Sequence, residues 1–108
     1  MTVKALSETL GLEVVCMPEP QREVTGGYAG DLLSWVMGRA ASGDAWVTIM
    51  SNMNIIAVAS LADPSCIILS ESVDPDPAVK ERAMAQGVNL LKSKEPTFTL
   101  CARIFGVL

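Results

Sequence analysis

Apolar and polar residues alternate along the chain in short blocks, and their spacing changes between that of helices and that of strands. Val3, Leu6 and Leu10 recur at helical spacing and Gly11 follows them, which predicts a short opening helix ended by a glycine. The next segment, LEVVCM at residues 12–17, is apolar and rich in valine, and it predicts a strand.

Three further apolar runs predict strands at regular intervals: AWVTIM, CIILS and VNLLKS begin near residues 45, 66 and 88. A helical pattern follows each run, over residues 51–63, 78–86 and 97–108. A repeated βα unit of this kind requires right-handed crossovers and a parallel sheet. We therefore predict one α/β domain over residues 1–108, with a mostly parallel sheet built from repeated βα units.

Polar residues predict where two of these helices begin. Ser51 and Asn52 are capping residues before the first of them. Asp76 suits the N-cap of the next, because Pro77 then takes the first helical position. An additional helix is predicted over residues 31–40, with one broad apolar face that we expect to pack on the sheet: Leu32, Leu33, Trp35, Val36 and Ala40. The closing helix has its own apolar series at helical spacing: Phe98, Cys101, Ala102 and Phe105.

Charge and hydropathy argue against two classes of partner, nucleic acids and membranes. Eight Lys and Arg against twelve Asp and Glu leave a formal charge of −4, which argues against a nucleic-acid partner. The longest strongly apolar run, residues 55–62, is far shorter than the roughly 20 residues of a membrane span. The first ten residues lack a secretory pattern. We predict a cytoplasmic protein that binds neither nucleic acid nor membrane.

The cysteine and histidine content limits the chemistry. Cys16, Cys66 and Cys101 are widely spaced, and the chain has no histidine. Ser-His-Asp and Cys-His catalysis are therefore excluded, as are the usual zinc sites. We expect reduced thiols that pack as small apolar side chains, and we predict no metal and no cofactor.

A glycine-rich segment, GGYAGD at residues 26–31, raises the question of a phosphate-binding loop. It lacks the lysine and hydroxyl of a P-loop and the spacing of a dinucleotide fingerprint. Asp31 would repel a phosphate but suits the start of a helix, so a tight turn with Asp31 as N-cap is favoured. The alternative is a contact between the backbone and a ligand or a second subunit at Gly26, Gly27 and Tyr28.

Short polar residues follow each strand of the predicted parallel sheet. The carboxyl ends of parallel strands share one edge, where open α/β sheets bind ligands. Those positions are Ser51, Asn52 and Asn54, then Ser70, Glu71 and Ser72, then Ser93 and Lys94. Caps and turns would also explain these residue types, and a small-molecule or partner site is the functional alternative.

Three segments together carry a resemblance to a known family: VTGGYAGDLLSWVM, WVTIMSNMNIIAVASLADPSCIILSES and KERAMAQGVNLLKSKEPTFTLCARI. Over roughly residues 1–105 the chain resembles a DRTGG domain, similar to the N-terminal domain of HPr kinase/phosphorylase. The resemblance implies a layered α/β/α domain that accompanies catalytic domains, helps them to oligomerise and senses a ligand, without chemistry of its own.

The two motifs that give the family its name are absent. The Asp-Arg pair aligns near Asn52 and Met53, and the Thr-Gly-Gly aligns near Ser70, Glu71 and Ser72.

We therefore predict a non-catalytic regulatory or assembly module. With a mean hydropathy of +0.38 and 19% charged residues, a lone monomer would expose apolar surface, which favours a homodimer. The alternative is a docking or accessory subunit of a redox or kinase system, which exposed aromatic residues at Tyr28, Trp35 or Trp46 would support. An enzyme that uses carboxylates such as Asp31 and Glu71 is a third hypothesis.

Overall fold

Two central strands are buried along their whole length, and they set the architecture. A computed structural model describes all of residues 1–108 and contains five strands and five helices. The strands are β1 (Glu13–Cys16), β2 (Gly26–Ala29), β3 (Asp44–Thr48), β4 (Cys66–Leu69) and β5 (Leu90–Lys92). The helices are α1 (Val3–Leu10), α2 (Leu33–Arg39), α3 (Asn54–Ala62), α4 (Pro77–Ala85) and α5 (Thr97–Val107). Every residue of β3 and β4 is buried, so the sheet must be covered on both faces.

The sheet is mostly parallel, as the βα pattern predicts. Its strand order is β1-β5-β4-β3-β2. Strands β2 to β5 run parallel to one another, and β1 pairs antiparallel with β5 at one edge. Because β2, β3, β4 and β5 are neighbours in chain order, crossovers of one hand place the three connecting helices on the same face.

Two apolar clusters pack the helices against the sheet, one on each of its faces. One lies under α1 and α5, whose Leu6, Leu100 and Ile104 pack on Val47 and Ile68 of the central strands. The other lies under α2, α3 and α4 and is built around the buried Trp46. The fold is therefore a three-layer α/β/α domain, with two helices on one face and three on the other. None of the five helices combines the length and the apolar character that a membrane span requires.

The glycine-rich segment is a strand, so the prediction of a tight turn is wrong. Gly26 to Ala29 pair in register with Asp44 to Val47 of the buried strand β3. The pairing with β3 holds this segment extended, although its small side chains do not favour a strand. Asp31 is not the N-cap of α2, which is Leu32. Its Oδ1 instead accepts hydrogen bonds from Thr48 Oγ1 at 2.8 Å and Ile49 N at 2.9 Å.

The predicted caps are correct at some helix ends and shifted at others. Gly11 ends α1 with a φ of 65°, and Asp76 is the N-cap of α4 with Pro77 in its first turn. The N-cap of α3 is Met53, one residue after Asn52, the second of the two predicted capping residues. Asn52 still supports this start, since its Oδ1 accepts a hydrogen bond from Asn54 N at 2.9 Å.

The apolar faces predicted for α2 and α5 differ from those that pack. In α2 only Val36 is buried, while Leu32 and Trp35 are exposed, and the Arg39 guanidinium stacks 3.6 Å from the centre of the Trp35 ring. In α5 the buried residues are Leu100 and Ile104. Both helices are apolar on more than one side, so helical spacing alone could not select the face that meets the sheet.

All three cysteines are free thiols. Cys16 and Cys66 are buried as predicted, and complete burial raises the pKa of the Cys66 thiol to about 12. Cys101 is only half-buried, on α5, and burial raises its pKa as well. Cys101 is therefore the thiol most accessible to reagents in the folded protein.

Two consecutive residues after β4 adopt the left-handed backbone conformation. Glu71 has a φ of 60° and Ser72 has a φ of 61°. Both residues lie in the segment, Ser70 to Ser72, near which the resemblance places the Thr-Gly-Gly motif. Glycine is the residue that adopts positive φ without steric cost, so Glu71 and Ser72 hold a backbone conformation that favours glycine.

The two adjacent glycines of β2 should respond differently to alanine. A methyl group at Gly26 would lie 2.8 Å from Oδ1 of the buried Asp44, whereas at Gly27 the nearest atom would be the Ala45 carbonyl oxygen at 3.5 Å. We expect Gly26→Ala to lower the free energy of unfolding by about 1–3 kcal/mol. Gly27→Ala, its matched control, should change it by less than about 0.5 kcal/mol. Urea denaturation monitored by tryptophan fluorescence measures both, and equal effects would show that Asp44 does not restrict Gly26.

Replacing Ser72 with glycine should stabilise the protein. The side chain makes no hydrogen bond, and relief of the left-handed strain outweighs the extra chain entropy of glycine by about 0.5–1 kcal/mol. Ser34→Gly is the control, because Ser34 is exposed within α2 and glycine there should destabilise by about 0.5 kcal/mol. Thermal denaturation of both variants tests the opposite signs, and destabilisation by Ser72→Gly would contradict the backbone conformation described.

Candidate functional site

The loops after the parallel strands are joined into one edge of the sheet by backbone hydrogen bonds. The amide of Asp76 donates to the carbonyl of Ser51 at 3.0 Å, which links the loops that follow β3 and β4. The amide of Ser72 donates to the carbonyl of Ser93 at 3.1 Å, which links the loops that follow β4 and β5. The structure thus brings the predicted residues of these three loops to a common edge.

Two of the predicted residues there hold the first turn of α5. Ser70 is fully buried, and its Oγ lies 2.6 Å from Thr97 Oγ1. Glu71 Oε2 accepts a hydrogen bond from Thr97 N at 2.8 Å, so its carboxylate satisfies a free amide at the start of the helix. Both side chains are therefore engaged in positioning α5 rather than free to meet a ligand.

Three more of the predicted residues lie at the start of α3: Ser51 and Asn52 precede the helix, and Asn54 is its first residue. Ser51 and Asn52 are half-buried and Asn54 is exposed. Asn54 N donates a hydrogen bond to Asn52 Oδ1, so the side-chain oxygen of Asn52 stabilises the local turn. None of the three lines either of the two cavities described below.

The glycine-rich strand lies apart from these loops. Gly26 pairs with Asp44, the first residue of β3, so it sits at the opposite end of the strands from Ser51 and Ser70. Tyr28 is in the middle of β2, opposite Trp46, and is half-buried. The predicted residues therefore occupy two separate places.

A polar cavity of about 600 Å³ opens at the carboxyl end of β5, between the loop after β4 and α5. It includes three of the residues expected at this edge: Ser72, Ser93 and Lys94. It also includes Lys92 and Arg103, which the sequence analysis missed. The remaining lining residues are Leu10, Gly11, Glu13, Asp74 and Glu95. Lys92 ends β5 and Arg103 lies in the middle of α5, and no sequence spacing relates the two positions. Only the packing of α5 shows that both side chains line one cavity.

Ion pairs hold two of the three cations in this cavity. Lys92 hydrogen-bonds to Asp74 and lies 3.3 Å from Glu13 Oε2, and these two carboxylates raise the pKa of Lys92.

Arg103 pairs with Glu95, and its Nη2 donates to the carbonyl of Leu10 at 3.2 Å. Lys94 is exposed and forms no salt bridge. The polar cavity thus carries three cations and three carboxylates, and Lys94 is the one cation without a salt bridge, with Ser72 and Ser93 nearby.

A second, apolar cavity lies on the α1/α5 face of the sheet. This α5–β2 groove has a volume of about 790 Å³ and is bounded by α5 on one side and by β2 and β3 below. Gly27 and Tyr28 contribute to it, so the glycine-rich strand meets an apolar groove rather than the polar edge. The other lining residues are Ala29, Ala45, Val47, Thr97, Phe98, Cys101, Ala102, Ile104, Phe105 and Leu108.

The remaining functional hypotheses concern single side chains. Of the three aromatic residues considered for docking, Trp46 is buried, Tyr28 is half-buried and Trp35 is exposed beneath Arg39. Asp31 binds the end of β3, whereas Glu71 binds the first turn of α5, so the two carboxylates do not converge on one cleft. The fold assembles no cluster of three or more His, Cys, Asp or Glu side chains suited to a metal ion.

Comparison with solved structures gives a match for the fold. The chain is similar to the CBS and DRTGG domains of the regulatory region of Clostridium perfringens pyrophosphatase, a structure complexed with the activator diadenosine tetraphosphate. The TM-score is 0.72 at 15% sequence identity, and the match covers 94% of this chain and 44% of that one. The chain therefore spans less than half of that regulatory region.

Comparison with curated protein sequences gives no significant match. The family model described as the DRTGG domain matches residues 5–107. Since this match extends over nearly the whole chain and agrees with the three-layer fold, the chain belongs to the DRTGG domain family.

Proposed function

We propose that this chain is a non-catalytic regulatory module that forms a homodimer and senses a small anionic ligand at the carboxyl ends of its strands. The observation that carries the sensing role is the polar cavity of about 600 Å³ beside the left-handed turn at Ser72. Small-molecule sites usually measure about 300–1,000 Å³, and open α/β sheets place them at this edge.

Lys94, the one cation of the polar cavity without a salt bridge, supports an anionic ligand. Lys94 is free to pair with an anion, and Ser72 and Ser93 lie beside it. Lys92 and Arg103 already have carboxylate partners, so a ligand would have to share or displace Asp74 or Glu95 to reach them. A phosphorylated ligand of moderate affinity fits these charges, because its contact with Lys94 would break no existing ion pair.

The family and the structural neighbour support a regulatory role. The neighbour is the regulatory region of a pyrophosphatase, complexed with an activator that carries four phosphates. Phosphorylated nucleotides are therefore the first ligand class to test on this chain. Asp31 and Glu71, the carboxylates that an enzyme would need, both bind backbone amides of the chain, which supports a role without chemistry.

Binding should be visible as stabilisation of the folded chain. Nucleoside monophosphates, nucleoside diphosphates and dinucleoside polyphosphates would be compared by thermal denaturation at matched ionic strength. Inorganic phosphate is the reference. A ligand at 100 times its Kd adds about 2.7 kcal/mol to the free energy of unfolding. We expect one phosphorylated class to raise the melting temperature and Lys94→Glu to abolish the rise.

Lys80→Glu is the matched control, since Lys80 is an exposed lysine on α4, outside the polar cavity. It makes the same change of net charge and should leave the rise intact. Loss of the response in both variants would indicate a general charge effect. No response to any phosphorylated compound, with the fold intact, would contradict the sensing role.

A further inference from the structure

The two phenylalanines of the chain are almost completely exposed on the same side of α5. Phe98 is 87% exposed and Phe105 is 84% exposed. They are seven residues apart, which is two turns of an α-helix, so their rings project in nearly the same direction. Aromatic side chains exposed together in this way mark a surface that another molecule covers.

The surface between the two rings is small and uncharged. Cys101 and Ala102 lie between them, and all four residues border the α5–β2 groove. The floor of this groove comes from β2 and β3, where Gly27, Ala29, Ala45 and Val47 present short side chains. The nearest charge on the helix, Arg103, pairs with Glu95 and the Leu10 carbonyl in the polar cavity. A covering partner therefore needs apolar bulk and no charge.

The spacing along α5 is symmetric. The midpoint of Phe98 and Phe105 falls between Cys101 and Ala102, the smallest residues of the series. In a two-fold contact each residue meets its counterpart from an identical surface. If two α5 helices run antiparallel about this midpoint, Phe98 of one copy faces Phe105 of the other at both ends. The small residues at the centre allow the two helices to approach closely, because the distance between packed helices depends on the side chains at their contact.

We propose that a second copy of this chain covers the α5–β2 groove through an antiparallel, two-fold contact of α5 centred between Cys101 and Ala102. This inference rests on the homodimer of the proposed function and specifies the surface that forms it. Each copy supplies both the protruding rings and the groove with small residues that receives them, so no second type of partner is needed.

The buried area is adequate for a stable dimer. An aromatic side chain buries roughly 150–250 Å² in a packed contact, so four rings account for roughly 600–1,000 Å². A specific interface needs about 1,000 Å² in total. Leu108, half-exposed at the end of α5, and the groove floor supply the remainder.

Sedimentation velocity under reducing conditions tests the interface. We expect the wild-type chain to be dimeric, and we expect Phe98→Ser and Phe105→Ser each to raise the dimer dissociation constant at least about tenfold. Leu61→Ser is the matched control, because Leu61 is 75% exposed on α3, on the opposite face of the sheet. It removes a similar exposed apolar side chain and should leave dimerisation unchanged.

Thiol crosslinking tests the position of the two-fold axis. In the proposed dimer the Cys101 thiols of the two copies are adjacent, so diamide should oxidise them to one intermolecular disulfide, with two electrons and two protons passing to the diamide. Cys16 and Cys66 are buried and should not react. Cys101→Ser should abolish the crosslink. A double variant, Cys101→Ser with Leu61→Cys, should give no crosslink either, although its new thiol is more exposed.

The possible outcomes separate this inference from the proposed function. A dimer that persists in both phenylalanine variants and gives no Cys101 crosslink would overturn the interface while leaving a homodimer. A wild-type chain that remains monomeric at high concentration would overturn both the interface and the homodimer. If that monomer binds a hydrophobic dye and loses the binding in Phe98→Ser, the groove is instead a site for an apolar small molecule. The nucleotide response of the polar cavity is independent of all three results.

Discussion

The burial of β3 and β4 on both faces is the constraint on which the rest of this fold depends. Two strands that are apolar at every position must be covered from above and below. The right-handed crossovers between β2, β3, β4 and β5 place three helices on one face, so only α1 and α5 remain for the other. This unequal cover leaves the α5–β2 groove open beside the edge strand. The surface that we assign to self-association is therefore a consequence of the topology.

The two strands whose burial is complete could be predicted from sequence. AWVTIM and CIILS are continuous apolar runs and identify β3 and β4, and the regular interval between them indicates parallel pairing. The strand β2 could not be found in this way, because Gly26, Gly27 and Ala29 carry no β-forming side chain and the pairing is supplied by β3. The packing face of α5 was also hidden, since Phe98 and Leu100 are equally apolar but only Leu100 is buried.

The candidate site was predictable in its location and only partly in its members. Parallel topology places polar residues at one edge, and Ser72, Ser93 and Lys94 do line the polar cavity there. Ser70 occupies the same loop as Ser72 but turns inward to Thr97, a choice that depends on where α5 begins. Neighbouring residues of one short loop thus differ in environment: Ser70 is buried against Thr97, and Ser72 lines the polar cavity.

Hydrogen–deuterium exchange at two protein concentrations tests most directly whether a second copy covers the exposed face. Amides exchange when local structure opens, and an interface suppresses that opening. Above the dimer dissociation constant, exchange should slow in residues 97–108 and 26–29 relative to a dilute sample, while β1 at the opposite edge of the sheet should be unchanged. Concentration-independent exchange in α5, or slowing confined to α2, α3 and α4, would contradict the two-fold contact through the α5–β2 groove.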